Sequence, residues 1–206
     1  MFVDVGPSPA PTLLFAHGAG APMDSGFMDA RAAALAARGR RTLRFEFPYM
    51  AGRRAEGRKR PPDRMPVLEM CFREAFAAAR AVTGAEPLFV GGKSMGARVA
   101  SHLADELGAA GLICLGYPFH PPGKPERLRT DHLAGLAMPA LIVQGERDPF
   151  GRADEVARYR LAAAIRIAWA PDGDHDLKPR KASGRSHADN IAFAADAVAA
   201  FMSASG

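Results

Sequence analysis

Apolar positions fall into short unbroken runs separated by longer stretches with helical spacing. Residues 12–16 read as a buried strand that ends on His17-Gly18-Ala19-Gly20. Asp24 or Ser25 is placed to cap a helix reaching residue 38, where Gly39 stops it. Residues 42–47 form a second strand, ended by Pro48. An arginine-rich segment follows, in which Pro61 and Pro62 exclude regular structure. A helix is expected over 67–82 and a third strand over 88–91. The sharpest punctuation in the chain comes next, Gly91-Gly92-Lys93-Ser94-Met95-Gly96, and a helix leaves it over 97–107. Strands at 111–115, 140–144 and 165–170 alternate with helices at 152–161 and 187–202. Runs apolar on both faces, alternating with helices, imply a mostly parallel sheet covered on two sides. No internal repeat, low-complexity tract or linker interrupts this pattern, so residues 1–206 are expected to form a single α/β domain.

Composition narrows the class. The 206 residues are 48% hydrophobic and 24% charged, which excludes disordered, collagen-like and disulfide-stapled chains. The net charge of +5 invites a nucleic-acid partner, but the excess has one address. Arg53, Arg54, Arg58, Lys59, Arg60 and Arg64 face only Glu56 and Asp63 within residues 52–64; elsewhere the chain is nearly balanced. Without interleaved aromatics or a recognised motif, that segment does not make a nucleic-acid-binding protein. Cys71 and Cys114 lie in apolar segments and suit two buried thiols in a reducing cytoplasm. The N-terminus lacks the pattern of a signal peptide, and no stretch approaches the ~18 apolar residues of a membrane span.

The chemistry concentrates at predicted strand ends. Gly92-Lys93-Ser94-Met95-Gly96 matches G-x-S-x-G between a strand and a helix. A serine on so tight a turn needs small residues two before and two after it. The turn exposes the hydroxyl and aims the Met95 N–H, at a helix N-terminus, towards an oxyanion. The plain alternative is a glycine-rich turn that packs a helix on a sheet. Serine needs a base and the base an orienting carboxylate. Asp148 follows the 140–144 strand and His175 the 165–170 strand, giving the order Ser94, Asp148, His175 expected of this elbow. Asp148 before Pro149 also suits a turn or a helix cap. His175 lies among Asp172, Asp174 and Asp176, which resembles a hard-metal loop without fitting its spacing, so no metal is assigned. His187 is the rival base, while His102, His120 and His132 are placed less well. The glycines after His17 let Ala19 supply a second oxyanion N–H, with His17 packing beneath the loop. Lys93 is either an exposed elbow lysine or a group near a substrate charge.

These motifs carry a resemblance. Beyond the elbow they are His17-Gly-Ala-Gly-Ala-Pro-Met-Asp24, Pro48-Tyr-Met50, Arg60-Pro-Pro62, Gln144-Gly-Glu-Arg-Asp-Pro-Phe-Gly151 and Gly173-Asp-His-Asp-Leu177. The chain resembles small serine α/β-hydrolases of dienelactone-hydrolase type over residues 12–201. It is most similar to the group that includes a testis-expressed protein and a subunit of a histone-acetyltransferase regulatory complex. The resemblance implies a sheet ordered 4-3-5-6-7-8 in the usual labels, with residues 1–10 supplying at most one short edge strand. It also implies a hydrolase of a small acyl ester, thioester or lactone that needs no cofactor. The alternative is a catalytically idle fold used as a protein-interaction module. Residues 116–138, broken by Pro118, Pro121, Pro122 and Pro125, leave no room for a lid domain. The arginine segment leaves the sheet edge that carries the site. It is either a solvated loop or a lid substitute whose Arg53, Arg54 and Arg58 attract an anionic acyl substrate.

Overall fold

Every residue of strand β2 (Thr12–Ala16) is buried, and its side chains divide by parity between two cores. In this computed structural model, which describes residues 2–205, Leu13 and Phe15 face one side of the sheet and Leu14 and Ala16 the other. Strands β3 (Arg41–Phe45), β4 (Leu88–Lys93), β5 (Leu112–Leu115) and β6 (Ala140–Gly145) are likewise buried along their length. With β1 (Val3–Val5) and β7 (Ile165–Ala170) they form one seven-stranded sheet ordered β1-β3-β2-β4-β5-β6-β7. All neighbours are parallel except β1, a short antiparallel edge strand on β3. The last six strands take the order implied by the resemblance, and β1 is the one edge strand that residues 1–10 supply.

Helices α1 (Gly26–Ala36) and α6 (His187–Ala204) cover the Leu13/Phe15 face. There Met28, Leu35, Val198 and Met202 meet Phe89, Ile113 and Val143. Helices α3 (Met65–Thr83) and α4 (Met95–Leu107) cover the other face, packing Leu68, Phe72, Val99 and Leu103 on Leu14, Leu88 and Val90. Each such fully buried side chain contributes roughly 1.5–3 kcal/mol. The two layers leave the C-terminal ends of the parallel strands uncovered along one edge, where open α/β sheets place their sites.

Two expectations need correction. The arginine-rich segment begins as helix α2 (Pro48–Glu56), and only the residues beyond it are irregular. Pro48 begins the helix instead of breaking regular structure, because its missing N–H falls in the unpaired first turn. Gly57, with φ 64°, closes the helix. The helix expected over 152–161 is only α5 (Ala153–Val156). Beyond it Ala162 donates to the Leu133 carbonyl at 3.0 Å, which draws the chain back into β7. The segment between β5 and β6 holds a single 3₁₀ turn, Asp131–Gly135, and no inserted domain. Both cysteines are unpaired, Cys114 buried and Cys71 half-buried. Among the described residues no helix is long and apolar enough to cross a membrane.

His102 of α4 stacks on His132 of the 3₁₀ turn with ring centroids 3.9 Å apart, and His132 Nε2 lies 2.8 Å from Ser101 Oγ. Burial, reinforced by His102 and Arg98, lowers the His132 pKa from histidine's ordinary 6.5 to about 4. Between those values the unfolded chain binds the extra proton, so stability is present above pH 6.5 and is lost as pH falls towards 4. The midpoint of urea unfolding should therefore drop between pH 7 and pH 5, and His132→Gln should flatten that drop.

Candidate active site

β4 reverses into α4 through a single residue, Ser94, whose backbone lies at φ 51° and ψ −111°. A non-glycine residue there costs about 1–3 kcal/mol and persists only where its surroundings hold it. The Ser94 N–H donates to the Leu115 carbonyl at 3.1 Å, tying the turn to β5. Gly96 supplies the clearance expected of the position two after the serine. A Cβ there would sit 2.6 Å from the carbonyl oxygens of both Ala16 and His17. The elbow therefore presses directly on the end of β2, and only a hydrogen fits between them.

The three residues singled out by chain order meet at this elbow. His175 Nε2 lies 2.9 Å from Ser94 Oγ, and His175 Nδ1 lies 2.8 Å from Asp148 Oδ2. Asp148 is completely buried. Its carboxylate also accepts from Gln144 Nε2 and from the Phe150 N–H, each at 2.9 Å. A carboxylate only accepts, so Nδ1 carries the imidazole proton and Nε2 is free to accept from the serine hydroxyl. Phe150 lies over the imidazole, centroids 4.2 Å apart. Asp148 thus orients a side chain, beyond making a turn.

The rival histidines sit elsewhere. His187 bonds Arg31 and the Asp176 carbonyl, His102 and His132 stack on each other, and His120 bonds the Pro121 carbonyl. The aspartates around His175 are occupied. Asp172 pairs with Arg180 and Arg147, Asp174 caps the N–H groups of Asp176 and Lys178, and Asp176 pairs with Lys93. The Arg180 hydrogen bonds lower the Asp172 carboxyl pKa to about 2. No group of three or more metal-ligating side chains occurs among the described residues.

The loop after β2 rests on His17 and on Tyr49, which the resemblance included in Pro48-Tyr-Met50 without a role. His17 is fully buried; its Nδ1 lies 2.7 Å from the Gly18 carbonyl and its Nε2 accepts from the Phe47 N–H at 3.1 Å. Burial pushes its pKa down, and the neutral ring satisfies both bonds. Tyr49, at the start of α2, donates its hydroxyl to the Gly18 and Ala19 carbonyls, 3.2 and 3.1 Å away. Because the peptide is trans, drawing the Gly18 carbonyl towards Tyr49 turns the Ala19 N–H away from it. The Met95 N–H, in the first turn of α4, has no intrahelical partner.

A cavity of about 370 Å³ opens beside Ser94 and His175, bounded by Ala19, Phe27, Met28 and Phe150. Lys93 also lines it, and of its two readings the exposed elbow lysine does not hold. It is buried, bonded to the His175 carbonyl and 3.2 Å from Asp176 Oδ1. Burial lowers its pKa, and the Asp176 carboxylate partly restores it. Arg53, Arg54 and Arg58 are absent from the cavity wall. Arg54 is held by Asp24 and Glu46, Arg53 donates to the Arg60 carbonyl, and Arg58 faces solvent beside Glu56. Helix formation through Glu56 turns Arg54 towards the carboxylates of Asp24 and Glu46.

The sequence profile of the alpha/beta hydrolase domain matches residues 9–203. Among solved structures the chain is similar to dienelactone hydrolase from Anabaena variabilis, at 18% identity and a TM-score of 0.73. That match covers 98% of this chain and 89% of the other. An α/β serine hydrolase without a lid from Xanthomonas campestris gives 21% identity and a TM-score of 0.71, covering 96% and 87%. Est1E from Butyrivibrio proteoclasticus, solved with ferulic acid, gives 16% and 0.73, covering 100% and 94%. At these identities the likeness concerns the fold. The tight elbow makes its own prediction: Gly96→Ala should cost about 1–3 kcal/mol or more in chemical unfolding, since the added methyl meets backbone that cannot rotate away.

Proposed function

The chain belongs to the alpha/beta hydrolase domain family, and we propose that it is a serine hydrolase cleaving a small acyl ester, thioester or lactone. The observation that carries this reading is the unbroken line of hydrogen bonds from Ser94 Oγ through His175 to buried Asp148. Ser94 Oγ attacks the acyl carbon as His175 Nε2 takes its proton, and Asp148 stabilises the resulting imidazolium. Negative charge on the carbonyl oxygen is received by the N–H groups of Ala19 and Met95. The tetrahedral adduct collapses as His175 returns the proton to the leaving oxygen or sulfur, which leaves an acyl-serine. Water, deprotonated by the same imidazole, attacks the acyl carbon and releases the acid. Every step uses this chain's own groups and water.

The cavity supports small acyl groups. At about 370 Å³ it lies near the lower end of ligand-site volumes, and its walls of Phe27, Met28 and Phe150 suit an apolar group. Its lysine already has a carboxylate partner, which supports an uncharged substrate over an anionic one. The narrower kinship, with the group that includes a testis-expressed protein and a histone-acetyltransferase regulatory subunit, rests on the motifs around Gly18, Ser94, Asp148 and His175. Two unpaired thiols support a reducing compartment such as the cytoplasm.

A fluorophosphonate probe should label the protein on Ser94, and Ser94→Ala should remove both labelling and ester turnover with the fold intact. Asp148→Asn should lower kcat by on the order of 10³–10⁴. A folded wild-type protein that neither labels nor turns over any ester, thioester or lactone would instead be an idle fold. Arg53→Ala combined with Arg58→Ala should leave the ratio of KM values for anionic and neutral esters unchanged. A selective rise for anionic esters would return those arginines to the site.

A further inference from the structure

The loop from β7 to His175 and beyond is gripped from outside at most of its carbonyls. Asn190 of α6 donates to Pro171 and Leu177 at 3.0 and 2.8 Å, and Arg147 Nε donates to Asp172 at 3.0 Å. Lys93 donates to the His175 carbonyl, and Arg31 of α1 donates to the Asp176 carbonyl at 2.9 Å. The loop needs this support, because Asp172 and Leu177 both occupy left-handed backbone conformations, at φ 50° and 64°.

Two of these grips come from buried cations, an expensive way to satisfy a neutral carbonyl. The whole Arg31 residue is 3% exposed and Lys93 7%; both lie near the Phe27 ring, 3.6 and 5.1 Å from its centroid. Among the described residues Arg31 forms no ion pair and its Nε has no hydrogen-bond partner, and burial lowers its pKa to about 10. Lys93 shares the single carboxylate of Asp176. An apolar side chain such as methionine would fill the same space without desolvating a charge, so packing alone does not account for either residue.

The geometry points to Lys93 and Arg31 as positioning residues that fix His175 against the nucleophile, an inference that rests on the hydrolase reading above. Lys93 precedes Ser94 in the chain, so its bond closes a ring. The path runs from Lys93 through the peptide to Ser94, across 2.9 Å to the imidazole, along His175 to its carbonyl, and back to the lysine ammonium. Any drift of the base from the serine must stretch the lysine. Gly116, at φ 66°, seals the ring. A Cβ there would lie 2.9 Å from both Lys93 Nζ and the His175 carbonyl oxygen, so nothing larger than hydrogen enters between them. Arg31 holds the next carbonyl, which prevents the loop from pivoting about the first.

Misplacing a reacting group by about 1 Å can cost on the order of 10²-fold in rate. Lys93→Met should accordingly lower kcat and the rate of fluorophosphonate labelling together, by about 10- to 100-fold, with the final stoichiometry of label and KM essentially unchanged. A purely structural role would instead lower the labelled fraction and leave the rate per labelled site alone. The downfield proton resonance of His175 Nδ1–H, shared with Asp148, reads the same placement without turnover. It should be sharp in the wild type and broadened in Lys93→Met. An unchanged resonance and kcat would overturn the inference, as would a raised KM at unchanged kcat, which would make Lys93 a substrate contact. Asp176→Asn, at a side chain 63% exposed, frees Lys93 without emptying a buried site and should give the same pattern at smaller amplitude. No change in that variant would also count against the clamp. A wild type that never labels, yet whose resonance broadens in Lys93→Met, would sink the hydrolase reading and leave the clamp standing.

Discussion

One reversal of the chain, completed within Ser94, sets the distances on which the rest of the site depends. A strand entering and a helix leaving through one residue bring Gly96 against the carbonyls of Ala16 and His17. That contact fixes how far β2 lies from the nucleophile, and with it where the loop carrying Ala19 begins. The Ser94 N–H, bonded to Leu115, fixes the same turn to β5 on the other side. The parallel sheet supplies the remaining spacing, since β6 pairs with β5 and β7 with β6, and they deliver Asp148 and His175 from loops of a few residues. Backbone strain at one position is thus supported by three strands.

Each part of the site has its own brace, of a different chemical kind. Asp148 is held by the Gln144 amide, the His175 loop by the two buried cations and Asn190, and the loop after β2 by the Tyr49 phenol. These braces come from β4, β6, α1, α2 and α6. None of them comes from the segment between β5 and β6, which holds no inserted domain.

The sequence carried Ser94, Asp148 and His175 because their signals are local and ordered: a glycine-flanked serine, and an acid and a histidine just past apolar runs. The strand order of the six central strands was available through the resemblance. Other features depend on partners far apart in the chain. Lys93 looked exposed because its partners, His175 and Asp176, lie more than eighty residues away. Tyr49 stood in one of the motifs without a role, because its role is a hydrogen bond to backbone some thirty residues earlier. The basic segment looked like a free field because Arg54's partners include Asp24, thirty residues before it. Helix α2 was missed for a local reason, since proline and glycine punctuate a helix at its ends as readily as they break a strand.

Tyr49 has a consequence for behaviour in base. Burial raises its phenol pKa to about 12, so the hydroxyl keeps its proton well past the pH at which a free phenol ionises. Its bonds to the Gly18 and Ala19 carbonyls persist there, and no charge appears beside them. Alkali that ionises an ordinary tyrosine therefore leaves the loop after β2 held in place.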